Sequence, residues 1–227
     1  MTFFSTFREY AEAALVAVLL AFFAKAYAFE AFEIPSGSME DGLLVGDHVL
    51  VDKLAYAPHR GPWRHLLPYR EVSRGDVFVF RGVEEPSKDF IKRAVAVGGD
   101  VVGMERKRLL VNGVPAVEPY VVHRDPRVLS GDDVPPGLRA RDELAPLAVP
   151  PGTVFAMGDN RDDSRDSRFT GPVPLGSVKG RALLVYWSFA SPETAVTGRA
   201  APLRKALTTA LHFFTRTRWE RSFRVVR

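Results

Sequence analysis

The 227-residue chain contains no cysteine, no internal repeat and no low-complexity tract. The lack of cysteine excludes a disulfide scaffold, a thiolate zinc site and a cysteine nucleophile. With 46% hydrophobic and 26% charged residues, the chain is neither intrinsically disordered nor a multi-pass membrane protein. Its length suits one domain of ordinary size with short appendages.

Long hydrophobic runs are also scarce, and the one membrane signal lies near the N-terminus. Residues Ala13–Ala24 are all apolar, and apolar residues resume after Lys25. The span Ala13–Phe32 reaches the roughly 20 residues that cross a bilayer as a helix, provided that the Lys25 side chain extends to the interface. We predict a short N-terminal segment over 1–9 and a transmembrane anchor over 10–32, whose orientation the flanking Arg8 and Lys25 hardly fix. A cleaved secretory signal peptide and a buried core helix are the two alternatives.

The net charge is only +4, but basic residues are concentrated at the C-terminus. Residues 199–227 carry eight basic side chains and one acidic side chain. Four apolar residues in this region would share one face of a helix: Leu203, Leu207, Leu211 and Phe214. We therefore predict a basic amphipathic tail over 199–227 that lies on anionic lipid headgroups and not on nucleic acid. A helix packed on its own domain explains the same pattern.

After Phe32 the sequence changes to short stretches rich in Val, Ile, Phe and Leu, separated by Gly and Pro, as is typical of antiparallel β structure. The predicted strands are Val45–Lys53, Asp76–Phe80, Phe90–Val97, Leu109–Val111, Thr153–Met157 and Ala182–Trp187. Asn112-Gly113 predicts a tight hairpin turn, because both residues tolerate positive φ. The predicted fold class is mostly β: an N-terminal transmembrane helix followed by an antiparallel β domain over 33–198, with a smaller insert at about 100–152.

Two segments offer groups for nucleophilic catalysis. In Ile34-Pro-Ser-Gly-Ser-Met39, hydroxyls lie beside exposed backbone N–H groups, although an ordinary loop leaving a membrane would look the same. In the strand that follows Asp89, Lys92 shares one face with Phe90 and the alanines 94 and 96. Burial among such residues lowers the pKa of a lysine and yields an amine able to act as a base. A strand-end lysine whose ammonium reaches water is the alternative.

A third segment, Gly158-Asp-Asn-Arg-Asp-Asp-Ser-Arg-Asp-Ser-Arg168, alternates acids with arginines. A calcium loop that begins at Asp162 fails the EF-hand pattern, because Ser167 stands where glycine is needed and Val173 where glutamate is needed. The acids and arginines would instead pair with each other and fix a turn. We expect no metal and no cofactor.

The three segments follow the apolar N-terminus in a characteristic order: Ser-Gly-Ser-Met, then Ile-Lys-Arg, then Gly-Asp-Asn-Arg-Asp-x-Ser-x-Asp-Ser-Arg. This arrangement resembles the signature boxes of bacterial type I signal peptidases, also called leader peptidases. These are membrane-anchored Ser/Lys proteases that cleave signal peptides from exported preproteins. The resemblance covers Phe32–Lys53, Asp76–Tyr120 and Thr153–Trp187.

The resemblance implies a role for each matching residue. Ser38 matches the nucleophile, and Lys92 matches the general base. Ser36 matches the serine whose hydroxyl joins the backbone N–H of Ser38 in the oxyanion hole, and Ser164 matches the serine that orients the lysine. The shallow pockets for small residues at −1 and −3 of the cleavage site would be lined by Ile34, Pro35, Phe90, Ile91 and Met157.

Asp166 and Arg168 match a structural ion pair near the site. Two departures from the family pattern accompany these matches. Glu40-Asp41-Gly42 stands where the family usually has a residue followed by Pro-Thr, and Phe169-Thr170 stands where it usually has two aromatics. The first departure bears on the placement of the nucleophile, and the second bears on local packing.

The resemblance implies a signal peptidase I without a cofactor, with a short cytoplasmic N-terminus over 1–9 and its catalytic domain on the extracytoplasmic face of the cytoplasmic (inner) membrane. Its partners would be the signal peptides of preproteins, the lipid bilayer and, by proximity, the secretion translocon. Lys53 is the rival base, and His48 is the only histidine near the three segments. A cytosolic self-cleaving Ser/Lys repressor and a catalytically silent anchored binding protein are the alternative functions.

Overall fold

A computed structural model describes residues 3–56, 70–131, 134–190 and 208–226. It begins with helix α1, Phe3–Phe23, which continues into a π-helical turn, Ala24–Ala28. By length and composition, Thr6–Ala28 is a candidate membrane span of 23 residues with a mean hydropathy of 1.7, and none of its apolar window is buried inside the protein. The alternative of a buried core helix is therefore wrong, because such a helix would need contacts on every face.

Strand β1, Phe29–Glu33, follows the π-helical turn directly. The anchor predicted over 10–32 is therefore helical only as far as Ala28, and the helix begins before residue 10. The reason is tertiary: β1 pairs antiparallel with β2, Asp47–Asp52, so that its backbone groups are satisfied by a sheet ladder. Phe32 also packs against the core.

Eight antiparallel strands form the main sheet, and they confirm the mostly-β prediction. After β1 and β2 come β3 Val77–Arg81, β4 Asp89–Val97, β9 Thr153–Met157, β10 Val173–Pro174, β11 Val178–Ser188 and β12 Arg224–Val225. The spatial order is β1-β2-β11-β3-β4-β9-β10, and β12 pairs with β11. Strand β4 therefore lies between β3 and β9, away from the sheet edges.

The insert expected at about 100–152 contains a second, four-stranded sheet. Its strands are β5 Val101–Glu105, β6 Arg108–Val111, β7 Val114–Pro115 and β8 Leu144–Ala148, in the order β7-β6-β5-β8. Asn112 and Gly113 both have positive φ, 54° and 77°, which confirms the predicted hairpin turn. The insert also contains the short helix α2, Pro136–Arg139, and a second short helix, α3 Ser167–Thr170, follows β9 of the main sheet.

Three hydrophobic clusters make up the core, and β4 contributes to all of them. Ile91 packs against the cluster of β2 and β11, and Ala94 lies with Phe78 of β3. Ala96 belongs instead to the cluster that joins β9 to the second sheet, because the register between β4 and β9 shifts after Ala94. The predicted common face of Lys92 with both alanines therefore ends at Ala94.

The C-terminal segment, residues 208–226, folds back onto the main sheet. It contains a helical turn at 208–211, helix α4 Phe213–Arg216, a 3₁₀ turn Trp219–Arg221 and β12. Leu203 and Leu207 of the predicted apolar face lie outside the described residues. The described segment packs on its own domain through Thr217 and Arg221, whereas Leu211 and Phe214 remain exposed.

Candidate active site

The two serines of the first segment lie directly after β1. After Ile34, Pro35 and Ser36, the chain forms one 3₁₀ turn over Gly37–Met39. Ile34 and Met39 are buried in the same core cluster, so they fix both ends of the segment. Ser36 is exposed, and its side chain makes no capping hydrogen bond to the turn, which leaves its hydroxyl available to a bound molecule.

Strand β4 brings Lys92 to this segment. Lys92 pairs with Phe78 of β3 and is only 4% exposed. Its Nζ atom lies 2.5 Å from Ser38 Oγ, within hydrogen-bond distance. Burial lowers the pKa of Lys92 to about 8, although the carboxylates of Asp166 and Asp159 act in the opposite direction. A neutral amine next to a serine hydroxyl is therefore accessible at mildly alkaline pH.

The third segment follows β9 and holds the backbone around Ser38. The Asn160 backbone N–H donates to the Ser38 carbonyl oxygen at 3.2 Å, and its side-chain amide donates to the Gly37 carbonyl oxygen at 3.2 Å. A Cβ at Gly158 would lie 2.5 Å from the Ser38 carbonyl oxygen, so only glycine fits there. Sequence reasoning quoted Gly158 and Asn160 within the motif but gave them no role.

The ion pair between Asp166 and Arg168 is completely buried, with both side chains at 0% exposure and a 2.9 Å contact. Burial alone would raise the pKa of Asp166, but the hydrogen bonds and charge of Arg168, together with the Gly158 backbone N–H and the nearby Ser164 hydroxyl, outweigh it and lower that pKa. Asp166 also accepts from the Gly158 backbone N–H at 3.0 Å. The pair therefore fixes the turn that supports the nucleophile segment.

The expected hydrogen bond between Ser164 and Lys92 is not formed, because the Ser164 hydroxyl has no hydrogen-bond partner among the residues that the structure describes. Ser164 Oγ is buried and lies against Gly158. It is close enough to Asp166 to help lower the pKa of that carboxyl, yet it makes no hydrogen bond of ordinary geometry.

A second buried ion pair, which the sequence did not single out, lies beside Lys92. Arg93 donates through Nε and Nη2 to both carboxylate oxygens of Asp159, at 2.8 and 2.7 Å. The Arg93 guanidinium also lies 3.8 Å from the centre of the Tyr120 ring. The alternation of β4 was the available signal, since it sends Arg93 to the face opposite Lys92.

The five residues expected to line the substrate pockets fall into two groups. Ile34 and Met157 are buried in core clusters, so they offer little surface to a peptide. Pro35 is exposed, while Phe90 and Ile91 are half-buried on opposite faces of β4. Accessible pocket surface therefore comes from these last three residues.

The rival groups lie elsewhere. The Lys53 ammonium donates to the Ala26 carbonyl oxygen at 2.7 Å, at the end of the N-terminal helix. His48 stacks on Trp187 with ring centres 4.7 Å apart. Both side chains therefore have partners outside the segment that carries Ser38.

The acids of the third segment are engaged by basic groups. Asp162 accepts from Lys107 Nζ at 2.8 Å and from the Asp125 backbone N–H at 2.7 Å. Within the described residues, no group of three or more His, Cys, Asp or Glu side chains could hold a metal ion. The expected pairing within the segment holds for Asp166 with Arg168, whereas the other described ion pairs of the segment reach partners outside it: Arg93, Lys107, Glu118 and Glu84.

The two departures from the family pattern also have structural partners. Arg124 Nη2 donates to Asp41 at 3.0 Å and to Glu40 at 3.3 Å, and so ties the insert to the chain after Ser38. Thr170 donates to the Asp166 carbonyl oxygen through its hydroxyl at 3.2 Å, inside α3.

Comparisons with known proteins identify the family of this chain. The family model described as signal peptidase, peptidase S26, matches residues 7–187. Signal peptidase I of Mycobacterium tuberculosis is 36% identical over 220 residues, which cover 81% of this chain and 73% of that protein. Signal peptidase I of Pseudomonas aeruginosa is 33% identical over 211 residues, which cover 82% and 74%.

A crystal structure of a signal peptidase I from Enterococcus faecalis is 30% identical, with a TM-score of 0.39, and covers 49% of this chain and 97% of that chain. The family match spans well over half of the sequence, and both curated relatives exceed 30% identity. The chain therefore belongs to the signal peptidase family, peptidase S26, and is an enzyme that removes signal peptides.

Proposed function

We propose that this enzyme cleaves signal peptides with a Ser38–Lys92 dyad, after a motif with small residues at −1 and −3. The observation that carries the proposal is the 2.5 Å distance between Lys92 Nζ and Ser38 Oγ, with the lysine buried. A buried amine of lowered pKa beside a serine hydroxyl is a nucleophile paired with its base.

In this mechanism the neutral Lys92 amine accepts the Ser38 proton while the serine oxygen attacks the scissile carbonyl. The Lys92 ammonium then gives that proton to the leaving amine, which frees the mature protein and leaves the signal peptide as an ester on Ser38. Water attacks the ester, Lys92 again accepts a proton, and the serine is restored as the signal peptide departs.

The negative oxygen of the tetrahedral intermediate needs hydrogen-bond donors. The Ser38 backbone N–H and the Ser36 hydroxyl are the proposed pair. Ser36 is exposed and its side chain does not cap the following turn, so its proton remains free to be donated. Donors held in place before reaction stabilise charge that develops only in the transition state.

The free part of the β4 edge is the proposed docking site for the substrate backbone. Strand β9 pairs with Arg93–Val97, and no described strand pairs with Asp89–Lys92 on that side. An extended signal peptide can add a strand there. Because side chains alternate along a strand, residues −1 and −3 would point to the same face of β4, so both small pockets must open on one face of that strand.

We further propose that α1 anchors the enzyme in the cytoplasmic membrane, with the β domain on the extracytoplasmic face near the secretion translocon. The candidate span Thr6–Ala28 supports the anchor. A second support is an exposed C-terminal apolar surface, formed by Leu211, Phe214, Trp219, Phe223 and Val225. Arginines at 216 and 224 lie in the same segment, a combination that suits anionic lipid headgroups.

The test is cleavage of a preprotein with an Ala-x-Ala site by the detergent-purified full chain. Wild type should cleave after the second alanine, as read from the N-terminal sequence of the product. Ser38→Ala and Lys92→Ala should lose activity, while Lys53→Ala should keep it, because the Lys53 ammonium is bound at Ala26. Retention of activity by Lys92→Ala would show that the base is misassigned.

A further inference from the structure

We infer that Arg221, in the C-terminal segment, positions the nucleophile Ser38 by holding the backbone that follows it. The inference rests on the proposed role of Ser38 and adds a residue that lies outside the three catalytic segments. Arg221 contacts Gly42, from which it is separated by 179 residues in sequence. Its hydrogen bonds go to Asp47 and Gly42, so we assign it the role of a positioning residue and not of a catalytic one.

Ser36 and Ser38 lie in a closed loop, here called the nucleophile loop, residues 35–46. Two hydrogen bonds close its neck: the Ile34 N–H donates to the Asp47 carbonyl oxygen at 2.8 Å, and the Gly46 N–H donates to the Ile34 carbonyl oxygen at 3.0 Å. A loop fixed only at its neck would leave its serines free to shift.

The Arg221 guanidinium connects the base of this loop, at Asp47, to its middle, at Gly42. Nη2 donates to Asp47 Oδ2 at 2.6 Å, and Nε donates to Asp47 Oδ1 at 3.3 Å. The same Nη2 donates to the Gly42 carbonyl oxygen at 3.0 Å. Asp47 is fully buried and Arg221 is 9% exposed, so these charge-assisted bonds are largely protected from water.

The connection continues to the nucleophile through the backbone. Leu43, next to Gly42, donates its N–H to the Met39 carbonyl oxygen at 2.8 Å, and Met39 follows Ser38 directly. Behind the loop lies a cavity of about 290 Å³, whose walls include Met39, Gly42 and Leu43 together with residues 224–226. Met39 and Leu43 hold the loop by apolar packing in the core cluster, and the Arg221 contacts add polar bonds to the backbone at Gly42 and to the neck at Asp47.

The backbone that carries Arg221 is anchored independently of its side chain. The Arg218 N–H donates to the Ser188 carbonyl oxygen at 2.9 Å, and β12 pairs with β11 just beyond. Asp47 also accepts from Ser188 Oγ at 2.5 Å and from the Leu44 N–H at 2.9 Å. A substitution of Arg221 therefore leaves the segment docked and Asp47 still hydrogen-bonded.

The experiment compares Arg221→Gln and Arg221→Lys in the full chain, with Arg108→Gln as the control, since Arg108 is an exposed arginine of β6, outside the nucleophile loop and the C-terminal segment. Cleavage of the Ala-x-Ala preprotein gives kcat and KM per folded molecule, with the folded fraction taken from thermal melts. For Arg221→Gln we expect kcat to fall about 10- to 100-fold and KM to stay within about twofold.

Arg221→Lys separates positioning from stability. An ammonium can keep the ion pair with Asp47 but cannot reproduce the planar fork that also reaches Gly42. We therefore expect the lysine variant to recover the melting temperature and not kcat. Recovery of both, or an unchanged kcat per folded molecule in Arg221→Gln, would overturn the inference. Failure of the proposed Ser38–Lys92 mechanism would be distinguishable, because cleavage would then persist in Ser38→Ala.

Discussion

Lys92 Nζ and Ser38 Oγ lie 2.5 Å apart, although their residues are separated by 54 positions in sequence. One atom comes from the middle of β4 and the other from a 3₁₀ turn after β1. The role of this contact depends on Lys92 being buried. A lysine in water would be protonated at neutral pH, and its side chain would not stay fixed beside the hydroxyl.

The first prediction concerns the pH dependence of cleavage. Burial lowers the pKa of Lys92 to about 8, and the base must be unprotonated to act. We expect log(kcat/KM) to rise with unit slope below about pH 8 and to level off above it. A steady-state pH profile with an Ala-x-Ala peptide measures this limb. A limb centred near the ordinary lysine value would contradict the assignment.

The second concerns stability, and it uses Lys92→Met. The folded-state pKa of Lys92 lies below its unfolded value, so the unfolded chain binds more protons between about pH 8 and the unfolded pKa. The cost of the buried ammonium is therefore fully present below pH 8 and fades as pH rises. Urea melts should show the methionine variant more stable than wild type at pH 6.5, with a smaller difference at pH 10. Equal differences at both pH values would contradict the buried charge.

The third concerns Gly158→Ala. The added Cβ would lie 2.6 Å from Ser164 Cβ and 2.5 Å from the Ser38 carbonyl oxygen, so the nucleophile segment must shift. We expect activity to be lost and stability to fall by about 1–3 kcal/mol or more, as for overpacked sites. Gly176→Ala is the control, because a Cβ there meets nothing within 4 Å. Similar kinetics for the two variants would show that the site tolerates the shift.

The fourth compares two arginines of the third segment. Arg168→Met breaks a pair at 0% exposure and leaves Asp166 buried without its partner, which should cost about 3–5 kcal/mol. Arg165→Met breaks an exposed pair with Glu84 and should cost about 1 kcal/mol or less. Denaturant melts of both variants test the contrast. Equal losses would mean that burial does not set the strength of these pairs.

The fifth tests the C-terminal apolar surface and exploits the absence of cysteine. Phe214→Cys and Val117→Cys can each carry one environment-sensitive fluorophore, and both positions are highly exposed. In vesicles of anionic lipid we expect the label at 214 to shift to the blue and to be quenched from the acyl chains, while the label at 117, in the insert, stays in water. Identical behaviour of the two labels would contradict the proposed contact between this surface and the membrane.

Family membership makes both alternative functions wrong, since the relatives are signal peptidases and not repressors or silent binding proteins. The roles of individual residues stay predictions, because similarity over the chain does not test any one side chain. Among them, Ser38 and Lys92 have the strongest geometric support, and Ser164 has the weakest.

The sequence by itself determined the features that depend on local pattern. Strand Thr153–Met157 was predicted with the bounds that the structure has, because alternation, chain breakers and turn chemistry act over a few residues. The Asn112-Gly113 turn follows from the positive φ that both residues tolerate. The order of the three motifs likewise indicated the family without any tertiary information.

Only the tertiary structure decided how distant segments meet. It converted residues 29–32 from predicted helix to strand, because β2 offered a partner for their backbone groups. It moved Ala96 away from the Lys92 face through a shift in register, and it placed Arg221 beneath the nucleophile loop. Contacts of this kind depend on which surfaces are buried together, and long-range packing is not encoded in any local stretch of sequence.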